Sequence, residues 1–122
     1  MINTRTHAVI DYVVGILLLI APYVLGFANG GPEQWTPQIL GALTLIVSLL
    51  TTYEYSLVKL VPFRIHLGID VVEALLLLVS PWLFGFASRI WWPHVLVGVI
   101  ELLVIAFSWR SRPSQQPSPA RF

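Results

Sequence analysis

Residues 79–87 read VSPWLFGFA, and residues 20–28 read IAPYVLGFA. Proline, glycine, phenylalanine and alanine recur at the same places, and every other position but one is apolar or aromatic in both. The likeness extends outward. A shift of 59 residues lays His7 on His66, Asp11 on Asp70, Leu17-Leu18-Leu19 on Leu76-Leu77-Leu78 and Pro22 on Pro81. Further along the register slips. Pro37 falls on Pro93 at a shift of 56, and Trp35 and Gly41 fall on Trp92 and Gly98 at 57. The chain therefore reads as one two-segment unit used twice, over about 3–54 and about 62–110.

Composition says where such a unit lives. The 122 residues are 57% hydrophobic and 11% charged, with a mean hydropathy of +0.80. Soluble domains carry about 25% charged residues. A soluble domain of this length leaves much of its surface wet and could not hide so many apolar side chains. A lipid bilayer removes the difficulty. The net charge of +1 gives no footing for nucleic acid. Without cysteine there are no disulfides, thiolate metal sites or thiol redox chemistry.

Four apolar segments follow, at about 6–28, 37–53, 63–87 and 93–109. A helix needs roughly 17–25 residues to cross the hydrocarbon, and an open sheet would leave backbone groups unpaired there. The expected fold is all-α: a four-transmembrane-helix bundle made of two helical hairpins. Because each hairpin crosses twice, the two repeats are parallel. Thr36-Pro37 reads as the start of the second helix, and Asn29-Gly30-Gly31-Pro32 as the turn that ends the first. Recurrence of the first segment inside the chain argues against its being a signal peptide. Residues 1–110 form one membrane domain on this reading. The proline-rich stretch 111–122 (SRPSQQPSPARF) is expected to be a disordered cytoplasmic tail.

Basic residues set the orientation. With the N-terminus in the cytoplasm, Arg5, Lys59, Arg64, Arg110, Arg112 and Arg121 lie inside, and Arg89 lies outside. Both termini are thus expected to be cytoplasmic, in the cell membrane. Tyr23, Trp35, Trp82, Trp91 and Trp92 then fall at the outer boundary; Tyr53, Tyr55, Phe63 and Trp109 fall at the inner one. Residues 54–61 are expected along the inner interface.

Ser80-Pro81-Trp82, set inside this duplication, resembles the SPW-repeat family of small prokaryotic integral membrane proteins. The resemblance covers nearly the whole chain except the tail, although the first copy has Ala21-Pro22-Tyr23 in place of the motif. It implies a membrane location and two helices per repeat, with Ser-Pro-Trp in the first of each pair. It implies no activity and carries over no catalytic residue.

The motif has a physical reading of its own. Pro81 lacks the N–H that would bond the carbonyl of Leu77, so a kink is expected near the outer end of that helix, and near Pro22 in the first copy. Ser80 is expected to bond back to the carbonyl of Leu76. Trp82 and Tyr23, apolar bodies with a polar tip, suit the lipid–water boundary. Gly26 and Gly85 are expected either to cap their helices or to admit a neighbouring helix.

Ionisable residues within the apolar segments are the candidate proton- or ligand-binding groups, because lipid makes them costly. His7 and Asp11, like His66 and Asp70, stand four apart on one helical face. Each pair can close a bond within its own helix. Alternatively, both pairs can face the pseudo-two-fold axis as a cluster of two imidazoles and two carboxylates. The same four groups could hold a divalent metal such as zinc, but the spacing is common in helices, and on sequence no metal and no cofactor are assigned. Glu73 and Glu101 lie deeper. Glu101 is expected to donate, as a neutral acid, to Thr44 or Ser48 on a neighbouring helix.

No phosphate-cradling glycine loop, zinc-protease motif or nucleophile elbow occurs, and an enzyme is not expected. The leading expectation is a membrane assembly module that packs with itself or with a partner membrane protein. Its close-approach points would be Gly15, Gly41, Gly68 and Gly98. The alternative is a proton-coupled transporter or channel component working through His66, Asp70, Glu73 and Glu101.

Overall fold

The computed structural model describes residues 2–51 and 60–110. Tyr53, Tyr55, Lys59, most of the expected interfacial stretch and the whole tail, with Arg112 and Arg121, lie outside them. Four helices follow in chain order: α1 (Thr4–Val24), α2 (Pro32–Leu50), α3 (Phe63–Leu83) and α4 (Trp92–Ser108). No strand occurs among the described residues, only an isolated bridge between Thr51 and Val61. By length and composition, α1 is the one described helix that qualifies to cross a membrane, and α4 is apolar but shorter, at 17 residues. α3 matches α1 in length but carries Arg64, Asp70 and Glu73.

The repeated nonapeptide is a helix stop. Each proline stands inside its helix, which runs on for two residues and then ends. Gly26 and Gly85 follow with φ of +81° and +74°, backbone that a residue with a Cβ adopts only under strain. The next N–H turns back onto the proline carbonyl: Phe27 N to Pro22 O and Phe86 N to Pro81 O, both 2.8 Å. This six-to-one bond closes a Schellman cap. Nothing lies within 4 Å of a Cβ built on either glycine, so of the two expectations capping is the one realised.

The start of α2 differs from the sequence reading. Gly31 is the N-cap and Pro32 opens the helix, leaving Pro37 in its interior. The cluster Asn29–Pro32 therefore begins α2, while the glycine cap ends α1. Side chains hold this earlier start in place. Asn29 Oδ1 accepts from Gly31 N at 2.9 Å, and Gln34 Oε1 accepts from Gly30 N at 2.7 Å.

Helices pack as two close pairs, α1 with α2 and α3 with α4. Looser contacts join α2 to α3 and α1 to α4, so α2 and α4 stand at opposite corners. Glycine sets both close crossings. A Cβ on Gly41 would come within 2.7 Å of Gly15 O and 2.8 Å of Leu18 Cβ. In the second pair, a Cβ on Gly98 would lie 3.0 Å from Ala74 O. Gly15, Gly41 and Gly98 are thus occupied inside the chain, and only exposed Gly68, with open space around it, is left from the expected contact set.

Burial is inverted relative to a water-soluble domain. Among the described residues, fifteen polar or charged ones are buried against eleven hydrophobic ones, while Val13, Ile16, Ile39, Ile46, Val72 and Leu103 are half exposed or more. Apolar side chains line the outside, which is the arrangement lipid favours. Two small apolar clusters complete the interior. One contains Ala8, Phe63, Leu67, Ala74 and Ile105; the other contains Leu18, Leu40 and Leu77.

Candidate functional site

At the proximal end of the bundle, α1 and α3 begin and α2 and α4 finish, as the bond from Ile2 N to Phe107 O at 2.8 Å shows. His7, Asp11, His66 and Asp70 meet here across the α1–α3 diagonal, all at 5% exposure or less. Each imidazole Nε2 faces one oxygen, Oδ2, of both carboxylates. His7 Nε2 lies 3.1 Å from Asp11 and 3.1 Å from Asp70; His66 Nε2 lies 2.6 Å from Asp11 and 3.1 Å from Asp70. Nitrogen and oxygen alternate around a four-membered ring. Of the two arrangements open to the sequence, the structure contains the joined cluster, and it contains the intrahelical contacts as two sides of the same ring.

The outer nitrogens are held as well. His66 Nδ1 lies 2.6 Å from Thr51 Oγ1, and His7 Nδ1 lies 2.8 Å from Ser108 Oγ. Thr51 gives its own proton to Val47 O at 2.5 Å, so it can only accept from His66. His66 therefore carries a proton on Nδ1, and its Nε2 faces the two carboxylates. Phe63 packs edge-on to His7, with ring centroids 5.2 Å apart. Thr51 and Ser108 were not singled out in the sequence. The signal was there: a shift of 57, the one that carries Gly41 onto Gly98, also carries Thr51 onto Ser108.

Glu73 and Glu101 sit deeper on inward faces, 4% and 7% exposed. Thr44 Oγ1 donates to Glu73 Oε1 at 2.5 Å, and Glu73 Oε2 is buried with no partner among the described residues. The expected bond from Glu101 to Thr44 is therefore replaced, and the alternative partner, Ser48, has an Oγ that is buried with no hydrogen-bond partner among the described residues. Thr44 belongs to α2 and Glu101 to α4, at opposite corners, whereas α3 packs beside α2.

The distal end has a second polar cluster that sequence reading missed. Arg89 Nε donates to Glu33 Oε2 at 2.5 Å and Arg89 Nη2 to Oε1 at 3.3 Å. Asn29 Nδ2 adds a bond to the same carboxylate at 2.8 Å. Glu33 stands in the polar first turn of α2, ahead of its apolar run. The Arg89 guanidinium beside it holds its carboxyl well below the usual carboxylate range, at about 2. Pro37 leaves the Glu33 carbonyl without a helical donor, and His94 Nε2 takes that place at 2.9 Å. Phe27 and Phe86, from the two helix stops, pack their rings on His94 at 5.3 and 4.8 Å.

The SPW motif itself closes a similar gap. Ser80 Oγ donates to Leu77 O at 2.8 Å, the carbonyl that Pro81 cannot serve, and not to Leu76 as expected. Ala21 in the first copy has no hydroxyl for this. Trp82 and Tyr23 are 61% and 65% exposed. Arg64 lies over the Trp109 ring, 5.4 Å from its centre, at the opposite end. An apolar groove of about 310 Å³ opens between α1 and α4, and none of the six candidate ionisable residues lines it.

Four helices with a polar interior and an apolar exterior define a small helical membrane protein. The model of the SPW repeat domain matches residues 5–108, and the chain belongs to that family. No curated protein matches it, and no solved structure does.

Proposed function

We propose that the chain is a non-catalytic, multi-pass protein of the cell membrane, built from two parallel helical-hairpin repeats with both termini in the cytoplasm. It serves as an assembly module that packs against a second copy or a partner membrane protein within the bilayer. One observation carries the repeat reading: residues equivalent by the internal shift meet each other at both ends. His7 and Asp11 meet His66 and Asp70 proximally, and Glu33 meets Arg89, its counterpart at a shift of 56, distally. Contacts between equivalents lie on a two-fold axis, and an axis running end to end relates parallel repeats. Support for assembly comes from the surface. Polar groups turn inward, and the outward faces of all four helices are apolar. Four short helices also enclose little volume for a substrate.

Reporter fusions at each terminus test the orientation; a periplasmic signal from either end overturns it. Crosslinking and native mass spectrometry in mild detergent test assembly, with a dimer or a co-purifying membrane protein expected and a strict monomer contradicting it. A second reading, a proton-coupled transporter or channel component, draws on the unpartnered oxygen of Glu73 and on Glu101, which lies within electrostatic reach of Asp70, Asp11 and Glu73. Its test is pH-driven flux in proteoliposomes that Glu101→Gln or Asp70→Asn abolishes. Absence of flux in correctly folded protein removes it.

A further inference from the structure

We propose that His7, Asp11, His66 and Asp70 form a binding site for one divalent transition-metal ion, of which zinc is the natural test case. Each of the four residues offers a donor atom within 4.8 Å of the others, and two imidazole Nε2 alternate with two carboxylate Oδ2 at 2.6–3.1 Å. Tetrahedral zinc with ligand bonds of about 2.0–2.2 Å separates neighbouring donors by roughly 3.3–3.6 Å. Three sides of the ring measure 3.1 Å and need open only a few tenths; the 2.6 Å side needs somewhat more.

Proton and charge counting admit the ion. Each Nε2 can offer one hydrogen, yet each faces two carboxylate oxygens, and His7 faces them at equal distance. In the ion-free ring each Nε2 proton is shared between two oxygens, whereas one central cation would serve all four donors directly. Two buried carboxylates also require two positive charges nearby; two imidazolium rings balance them in the ion-free ring, and a divalent ion would take over that charge with both imidazoles neutral. Thr51 accepts from Nδ1 of His66, so Nε2 is the nitrogen that would ligate the ion once the proton it shares with the carboxylates is displaced. Hydroxyls behind both histidines match the outer shell that orients ligating imidazoles. Two ligands come from each hairpin, so the ion would fasten the halves together. The inference does not rest on the assembly reading, since a strictly monomeric chain that binds metal would retire that reading and leave this one standing.

The experiment uses full-length protein without a polyhistidine tag, purified in mild detergent, stripped with EDTA and titrated with Co²⁺ and then Zn²⁺. One Co²⁺ per chain is expected, with the intense visible bands of four-coordinate cobalt, displaced by one equivalent of Zn²⁺. His66→Gln is expected to weaken Co²⁺ binding by roughly a hundredfold or more, and Thr51→Val, which keeps all four ligands, by about tenfold. Arg89→Gln at the distal end leaves binding unchanged. Should the ligand variants fail to fold, the wild type still decides: its melting temperature must rise with Zn²⁺ and fall back with EDTA. No bound Co²⁺ in wild-type protein at roughly hundredfold excess overturns the proposal. So does a folded His66→Gln protein that binds as tightly as wild type.

Discussion

The two ends of the bundle tie the same hairpins together by different means. Proximally, four fully buried groups of two kinds are closed into a ring by chain positions that repeat identically. Distally, Glu33 is buried, but its partner Arg89 keeps 54% of its side chain exposed. A buried network gains much from low dielectric and loses much when one member is removed, because the remainder is left uncompensated. A half-wet pair is screened by water and contributes little. The comparison teaches that similar-looking ion pairs in one small protein differ in weight according to solvent access.

Breaking the proximal ring is therefore expected to have the largest effect. Asp70→Leu leaves two imidazoles facing a single carboxylate, and a loss of about 3–5 kcal/mol is expected in a reversible denaturation assay in detergent. The close crossing comes next. Gly41→Ala puts a methyl group against backbone at 2.7 Å and is expected to cost about 1–3 kcal/mol in the same assay. Gly68→Ala, with open space around it, is expected to stabilise by up to about 1 kcal/mol through helix propensity. A third test compares the two helix stops. Ser80→Ala removes the donor to Leu77 O at a cost of about 1–2 kcal/mol. Ala21→Ser, which offers Leu18 O the same donor, is expected to raise the melting temperature slightly.

The distal latch should give the smallest change, visible mainly as pH dependence. Its carboxyl is held below the usual carboxylate range in the folded protein, at about 2. Its contribution is therefore present above that range and is lost as pH falls toward 2. Arg89→Gln is expected to flatten this acid limb of the melting-temperature profile while leaving the neutral value nearly unchanged. A large drop at neutral pH would show that the two ends are more alike than their exposure suggests.

How much of this was legible in the sequence follows the same division. The proximal residues could be read because duplication copied them unchanged: His and Asp recur at one shift and draw attention. Their closure into a ring could not be read, since a spacing of four suits a bond within one helix equally well. Thr51 and Ser108 escaped because hydroxyls in helices commonly bond their own backbone, as Thr51 also does. Glu33 and Arg89 are equivalents that became unlike, so no search for similarity finds them. The start of α2 was misplaced because Pro37 has the composition of a helix opening. What makes it an interior residue is His94, from the other hairpin, standing at the carbonyl that proline vacates. Such a donor, distant in sequence, leaves no local mark. Helix count and all-α class were legible because apolar run length and glycine–proline punctuation are local.

The hydroxyls behind the histidines have a consequence for biosynthesis. Ser108 is the last residue of α4, so a nascent chain has already made both aspartates long before it can finish surrounding them. Until translation reaches that serine, the four ring residues are present but His7 lacks the hydroxyl behind its Nδ1. An insertion machinery that shelters incomplete chains would have reason to hold this one to the end.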